Sequence, residues 1–549
     1  MTKSILLLGV AVLAACKSDI TDKKAGDPST TNPQTASVLT QHNDNSRAGW
    51  NNNETALTTS NVNAQHFGKL FSLAVDDQVY AQPLVAGGIT INNGVHNVVY
   101  IATVNNTLFA YDGDNGKLYW QKNFTAAGMR PPKNTDMTGA CSGNYSNFSR
   151  NIGIVGTPVI DAAKHTIYFV ARSMKDSNTF VQHLHAVDIV SGMDVAGSTV
   201  GITATSSGSG DGSVNNVITF DPQRQNQRQG LTLLNGMVYV TFSSHCDWGP
   251  YHGWILGYDA ATLEQLVVYN ATPDGYAGGL WQSGAGMSAD AQGNLYVVTG
   301  NGTVGTSSDP TNVRNRGESA LKLTPAGGTL QVSSFFTPAN YQYLNDNDLD
   351  YGSPGAFLIP NSSYYLTAAK DGTIFLLNKD NMGGYQSSGN LVQQVISLGP
   401  DANLHSQLAY FKGTTKEYVY IWSENDELRA IPFNRASNML DQSRQVVFSP
   451  GQPTGQTGAM LSVSSNGSLD GTGIVWASHA FSGDAESSVS PGILRAFDAN
   501  DVTYELWDNL QNGAQDGAGN FAKFAPPTIA NGHVYLPTFS NQVVVYGLR

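Results

Sequence analysis

Apolar residues in this chain fall into short runs separated by clusters of Asn, Asp and Gly, with no long helical stripe. Residues 99–120, VYIATVNNTLFAYDGDNGKLYW, show the unit most clearly. The β-branched and aromatic run 99–103 predicts a strand, and Asn105-Asn106 supplies a turn. Residues 108–111 predict a second strand, 112–116 a second turn and 118–120 a third strand. Asp112 is placed to accept hydrogen bonds from the backbone amides that follow it, and Gly116 to adopt the positive φ of a tight hairpin. Weaker copies recur as HLHAVDIVSG (183–192), ILGYDAATLE (255–264) and ILRAFDAND (493–501). One supersecondary unit repeated along a chain predicts a solenoid or a propeller.

The Ala-x-Asp-x-x-(Thr/Ser/Asn)-Gly turn, at times with a later Trp, resembles the repeat of quinoprotein-like β-propellers. That family holds both pyrroloquinoline quinone (PQQ) dehydrogenases and non-catalytic outer-membrane assembly lipoproteins. The resemblance spans residues 67–549 and implies an all-β propeller. Blades are expected at 82–124, 157–202, 230–269, 287–324, 355–398, 407–448 and 460–507. An eighth, PPTIANG, HVYLPTF and QVVVYGL, has only three strands. Residues 67–75, FGKLFSLAV, are expected to supply its fourth, so that an N-terminal strand closes an eight-bladed ring and covers a bare edge. Seven blades is the alternative, with one central blade carrying an insertion.

The amino terminus adds targeting. Lys3 followed by an apolar run over residues 5–15 is too short to span a bilayer and reads as a signal peptide. It ends in Leu13-Ala14-Ala15-Cys16, which resembles a bacterial lipobox and implies cleavage before Cys16 and lipidation of its thiol. An ordinary secretory signal is the alternative. The expected domains are a signal peptide (1–15), a lipidated tether (16–38) and the propeller (39–549). The expected location is the bacterial cell envelope, lipid-anchored, as a monomer. With Cys16 lipidated, Cys141 and Cys246 remain, and in an exported protein two thiols most simply form a disulfide; a metal-ligand pair or two free thiols are the alternatives. Only 13% of residues are charged, 58 are Gly, and the net charge is −13, which argues against a nucleic-acid partner.

In a propeller the residues leading into each inner strand face the central channel. They are Gln82, Thr157, Arg228, Trp281, Gln282, Tyr351, Ser353, His405, Thr457 and Lys523. The set suits a planar anion, with Arg228 and Lys523 pairing carboxylates and Trp281 offering a stacking plane; a merely solvated channel is the bland reading. The long loops 125–156, 243–253, 301–317 and 338–352 are expected on the same face. In SHCDWGPYHGW, His245, Asp247 and His252 are candidate metal ligands, or one His a base oriented by Asp247; packing over the channel mouth is the structural alternative. In NDNDLDYG, Asp346, Asp348 and Asp350 hint at Ca²⁺ without matching the EF-hand pattern, a solvated turn being the alternative.

No CxxCH haem site, G-x-S-x-G elbow or HExxH helix occurs. The PQQ alcohol dehydrogenases carry adjacent cysteines over the quinone and a Glu, Asn and Asp calcium site, and neither matches a motif here. The expectation is a cell-envelope binding or scaffold lipoprotein working through its loop-rich face on a protein, a glycan or a small ligand. A PQQ- and Ca²⁺-dependent oxidoreductase acting on an alcohol or sugar is the alternative.

Overall fold

The computed structural model describes residues 35–549. The expected signal peptide, Cys16 and all but the last four residues of the expected tether lie outside the described residues. Eight sheets form the blades, each built on four antiparallel strands, and three of them carry one further two-residue strand. The first comprises Leu84–Ile91, Gly94–Ala102, Thr107–Asp112 and Leu118–Asn123. The next six run inner to outer strand from Val159–Asp161 to Asp194–Gly201, Thr232–Leu234 to Gln265–Asn270, Ser288–Ala289 to Thr329–Phe336, Phe357–Leu358 to Gln394–Ser397, Ala409–Lys412 to Val446–Phe448, and Met460–Ser464 to Glu505–Asp508. The eighth joins Thr528–Ala530, His533–Pro537 and Gln542–Leu548 to the N-terminal strand Phe67–Ala74, which pairs Phe67 with Leu548 and Ala74 with Gln542. The ring has the expected eight blades and the expected closure.

The repeat turn works as its sequence dictates. Asp112 Oδ1 accepts from the amides of Asp114 and Asn115 at 3.0 and 3.2 Å, and Gly116 has a φ of 75°. Asp188 and Asp259 do the same in blades two and three. Alternation along the strands buries both faces of each sheet, so a separate apolar cluster fills every gap between neighbouring blades. The cluster that joins Val543 and Tyr535 of the last blade to Val85 and Val99 of the first closes the circle.

The bore of this ring is filled, where an open channel was expected. Residues 35–53 circle it and touch the inner strand of every blade in turn. Val38 exchanges backbone hydrogen bonds with Val85, and the Leu39 carbonyl accepts from Ile160 at 2.8 Å. Asn45 donates its side chain to the Leu233 carbonyl at 2.9 Å and accepts at its backbone from Ala289 at 2.7 Å. The carbonyls of Ser46, Ala48 and Gly49 accept from Leu358, Tyr410 and Val463 at 2.9, 2.9 and 2.7 Å. Asn51 Nδ2 reaches the Ile529 carbonyl of the eighth blade at 2.7 Å. Left-handed φ values at His42, Asn43, Arg47 and Gly49 bend the segment to this tight curve.

Arg47, 1% exposed, pins the loop. Its guanidinium donates to the Gln41, Leu231 and Met287 carbonyls and to the Thr40 and Thr232 hydroxyls, at 2.6 to 3.3 Å. Burial lowers its pKa to about 10, which leaves it charged at neutral pH. Val38, the last residue of the expected tether, is fully buried in this collar, so the folded unit starts upstream of residue 39.

Candidate functional site

With the bore blocked from below, the loop-bearing face holds a blind cup of about 830 Å³ including its mouth. Its walls come from the long loops and from the residues leading into the inner strands, as the blade geometry requires. Of the expected channel residues, Arg228, Trp281, Ser353, His405 and Lys523 line it. Gln82, Thr157, Gln282, Tyr351 and Thr457 do not line it. Gln82 Oε1 accepts from the His42 amide of the collar, and Gln282 Oε1 from Val298. Both amides serve the buried floor, where a backbone N–H without a partner would be costly.

One side of the cup is cationic and aromatic. The Arg228 guanidinium lies 4.1 Å from the Phe524 ring centroid and 5.5 Å from that of Trp281. Its Nη2 reaches the Trp281 carbonyl at 3.4 Å. Burial lowers the Arg228 pKa to about 10. Lys523, 3% exposed, donates to the Glu486 carbonyl, and burial with the nearby Arg228 charge lowers its pKa to about 7. His405 Nδ1 sits 2.5 Å from Glu424 Oε1, and Asn403 steadies the other carboxylate oxygen at 2.9 Å.

The cup wall also carries acidic groups, beside Trp281. Lys370 Nζ lies 3.2 Å from Asp348 and 3.8 Å from Asp350. Asp350 Oδ1 accepts the Asn301 amide at 2.9 Å, yet burial and then the Asp247 charge push its pKa up to about 7. Asp247 opens to solvent at the rim and takes a 2.5 Å hydrogen bond from Tyr251; desolvation and Asp348 raise its pKa. Behind Asp350, Glu318 is fully buried, accepts the Tyr351 amide at 2.7 Å, and is pushed well up by burial. A glycine is required at 300, because a Cβ there would lie 2.2 Å from Asp350 Oδ1 and 2.8 Å from Trp281 Cδ1.

The two histidines of the 243–253 loop are built into the wall instead of facing the cup. His245 is fully buried, with Nδ1 against the Tyr145 hydroxyl at 2.8 Å and Nε2 taking a hydrogen bond from Arg172. Burial and Arg172 hold its pKa far below the ordinary value, so it is neutral. His252 contacts Thr272 Oγ1 and the Asp211 carbonyl at 3.0 and 2.8 Å. With both ring nitrogens of each engaged by protein, neither has a lone pair left for a metal.

The three aspartates expected to hold Ca²⁺ are not brought together. Asp346 ends the surface helix Tyr341–Asp346 and accepts from Gln342, while Asp348 and Asp350 share Lys370. Among the described residues no group of three or more His, Cys, Asp or Glu side chains is placed to hold a metal ion. Cys141 and Cys246 form the expected disulfide, with Cα atoms 5.4 Å apart, and Cys246 lines the cup.

Lys370, Glu318, Asn301, Phe524 and Tyr145 went unread in the sequence. Lys370 lies in an ordinary-looking hairpin turn, AAKDGT, and only its distance from Asp348 and Asp350 gives it significance. Asn301 lies in a Gly-Asn-Gly turn at the end of a strand, which is a signal for a loop at the functional face.

No protein-family model matches the chain, and no curated protein sequence matches it. Solved structures do. The quinohaemoprotein alcohol dehydrogenase ADHIIG of Pseudomonas putida HK5 aligns with a TM-score of 0.60 at 12% identity, over 93% of this chain and 80% of that one. The quinohaemoprotein alcohol dehydrogenase of Comamonas testosteroni aligns with a TM-score of 0.57 at 15% identity, again over 93% and 80%. BamB from Moraxella catarrhalis aligns at 0.45 and 11%, over 88% and 99%. At these identities the likeness is one of fold: the chain is an eight-bladed β-propeller.

Proposed function

We propose that this protein is an exported binding protein whose ligand, a small planar anion, sits in the central cup. The observation that carries the reading is a pair of hydrogen-bond donors in residues of the cup wall that are buried and lack any protein partner: Arg228 Nε and Trp281 Nε1. Leaving such groups unmade costs about 1–3 kcal/mol each, so a site that keeps two donors is built for an acceptor that completes them. Two donors and two cations, Arg228 and Lys523, converge on one side of a blind cavity of ordinary ligand size. Convergence into a cavity fits a small ligand better than a flat protein surface. The loop-rich face therefore serves as the rim of a site. The disulfide fits an oxidising, extracytoplasmic setting, and lipid anchoring through Cys16 belongs to the same proposal.

A second reading, quinoprotein oxidation, is favoured by one observation. Asn301 Oδ1 is buried without a partner, and its backbone amide holds Asp350. Asn301 lines the neighbouring cavity while Asp247 and Asp350 line the cup, so an ion between the two spaces would draw on two carboxylates and one amide, the donor types of the Glu, Asn and Asp that the resemblance implies. These hard donors fit Ca²⁺, and Arg228 and Lys523 fit the carboxylates of PQQ. Bound there, the pair would supply an electron acceptor and a Lewis acid. The chain itself would supply the Trp281 ring as a packing face.

Both readings are tested with PQQ as the planar anion, by tryptophan fluorescence with and without Ca²⁺. Saturable binding that weakens about tenfold or more in Arg228→Gln is expected from loss of a buried charge-assisted contact. Binding that is absent, or equal in the variant, overturns the cup as an anion site. Calcium-dependent, dye-linked alcohol oxidation selects the second reading, and binding without turnover selects the first.

A further inference from the structure

We propose that a second cavity, beside the cup, binds small organic ammonium ions. It measures about 670 Å³ including its mouth, and Asp247 and Asp348 form the partition between the two spaces. Asp211, Tyr251, Tyr276 and Asn301 supply the decisive remaining walls, and no described Lys or Arg lines it.

Three features set its chemistry. The first is charge. Lys370 faces Asp348 from the cup side, but Asp211 makes no ion pair among the described residues; its backbone carbonyl is held by His252 at 2.8 Å. The cavity therefore keeps negative charge, on a protein of net charge −13 that draws cations toward it. The second is a fixed aromatic face. Tyr276 is 47% exposed, yet its hydroxyl accepts from Asn345 at 3.0 Å and its backbone amide donates to Thr303 at 3.1 Å. An exposed ring anchored at both ends loses little entropy when a ligand covers it. Tyr251 is fixed likewise through Asp247. The third is the spare acceptor Asn301 Oδ1.

Carboxylates, tyrosine faces and a free amide oxygen, with no competing cation, select a positively charged N–H-bearing head on a short apolar stem. Phosphates and carboxylates are repelled. Sugars would find the rings but gain nothing from the charge. The assignment does not depend on an anion in the cup, whereas a calcium ion held by Asn301 and Asp247 would compete with it.

The full chain is titrated by NMR with butylammonium, a slightly longer neutral alcohol, pentan-1-ol, and glucose. Butylammonium is expected to saturate with a Kd of about 1 mM, as befits so small a ligand, with pentan-1-ol about tenfold weaker or worse. Asp211→Asn, in an exposed loop, and Tyr276→Ala are each expected to weaken it about fivefold or more while melting like wild type. Arg228→Gln is expected to leave it unchanged, which separates this site from the cup. Equal binding of pentan-1-ol, tighter binding of glucose, or wild-type affinity in Asp211→Asn overturns the proposal.

Discussion

Replacing Arg47 by Met tests whether the collar holds the blades together or merely fills space. Met replaces the apolar stem of the side chain but donates nothing. Five hydrogen bonds to buried acceptors are lost. Two of the three carbonyls keep a second donor, since Thr232 Oγ1 still reaches Met287 at 3.0 Å and Thr40 Oγ1 reaches Leu231 at 3.5 Å. Gln41 loses its carbonyl's partner outright. At about 1 kcal/mol net per bond the loss is about 5 kcal/mol, and relief from burying a guanidinium returns part of it, leaving about 3 kcal/mol. For ~500 ordered residues the melting entropy is about 1 kcal/mol per degree, so Tm should fall by about 3 °C. Calorimetry gives that number, and hydrogen exchange locates it. The amides of Ala289, Leu358, Tyr410 and Val463, which donate to collar carbonyls, should exchange faster than the outer strands. An Arg47→Met protein with unchanged Tm and unchanged exchange at these four amides would refute the collar as a structural tie.

Further expectations follow from the closure and the cup. Phe67 is fully buried against Trp476 and Trp507, with ring centroids 5.4 and 5.0 Å away, so Phe67→Ala should cost about 3–5 kcal/mol in reversible denaturation. A loss below about 1 kcal/mol would mean the closing strand is dispensable. Lys523 has a folded pKa of about 7, below its unfolded value, so the folded state resists its protonation and the penalty is full below pH 7 and fades as pH rises. Lys523→Met should therefore raise Tm more at pH 6 than at pH 9, and an equal rise at both would contradict the assignment. Asp350 runs the other way. Its folded pKa of about 7 lies above its unfolded value, so its penalty grows as pH rises from about 4 to 7 and is full above that. Asp350→Asn should stabilise at pH 8 and little at pH 4.

Blade count and closure were legible because each blade restates the same local chemistry: β-branched runs, then an Asp that caps its own turn. Two ends of the chain with complementary gaps, three strands at one and a lone strand at the other, settled the circle. The collar was not legible. Its stretch, QHNDNSRAGWNNNE, carries almost no apolar pattern, because it is held by backbone groups that every residue possesses. Its one distinctive side chain, Arg47, looks like any surface arginine until five buried acceptors surround it. Arg228, Trp281, His405 and Lys523 were found because blade topology fixes where an inner strand begins. For His245 and His252 the sequence left a ligand role and a packing role both open, because residue type says nothing of whether both ring nitrogens already have partners. Asp348 and Asp350 do line the cup, but the ammonium between them comes from a hairpin about twenty residues on, invisible to spacing.

The collar also bears on how the protein is made. Its residues precede every blade along the chain, yet their hydrogen-bond partners stretch as far as Asn531, in the last blade. The collar can therefore complete its contacts only once the last blade has formed. The two ends of the folded ring are thus obliged to settle together.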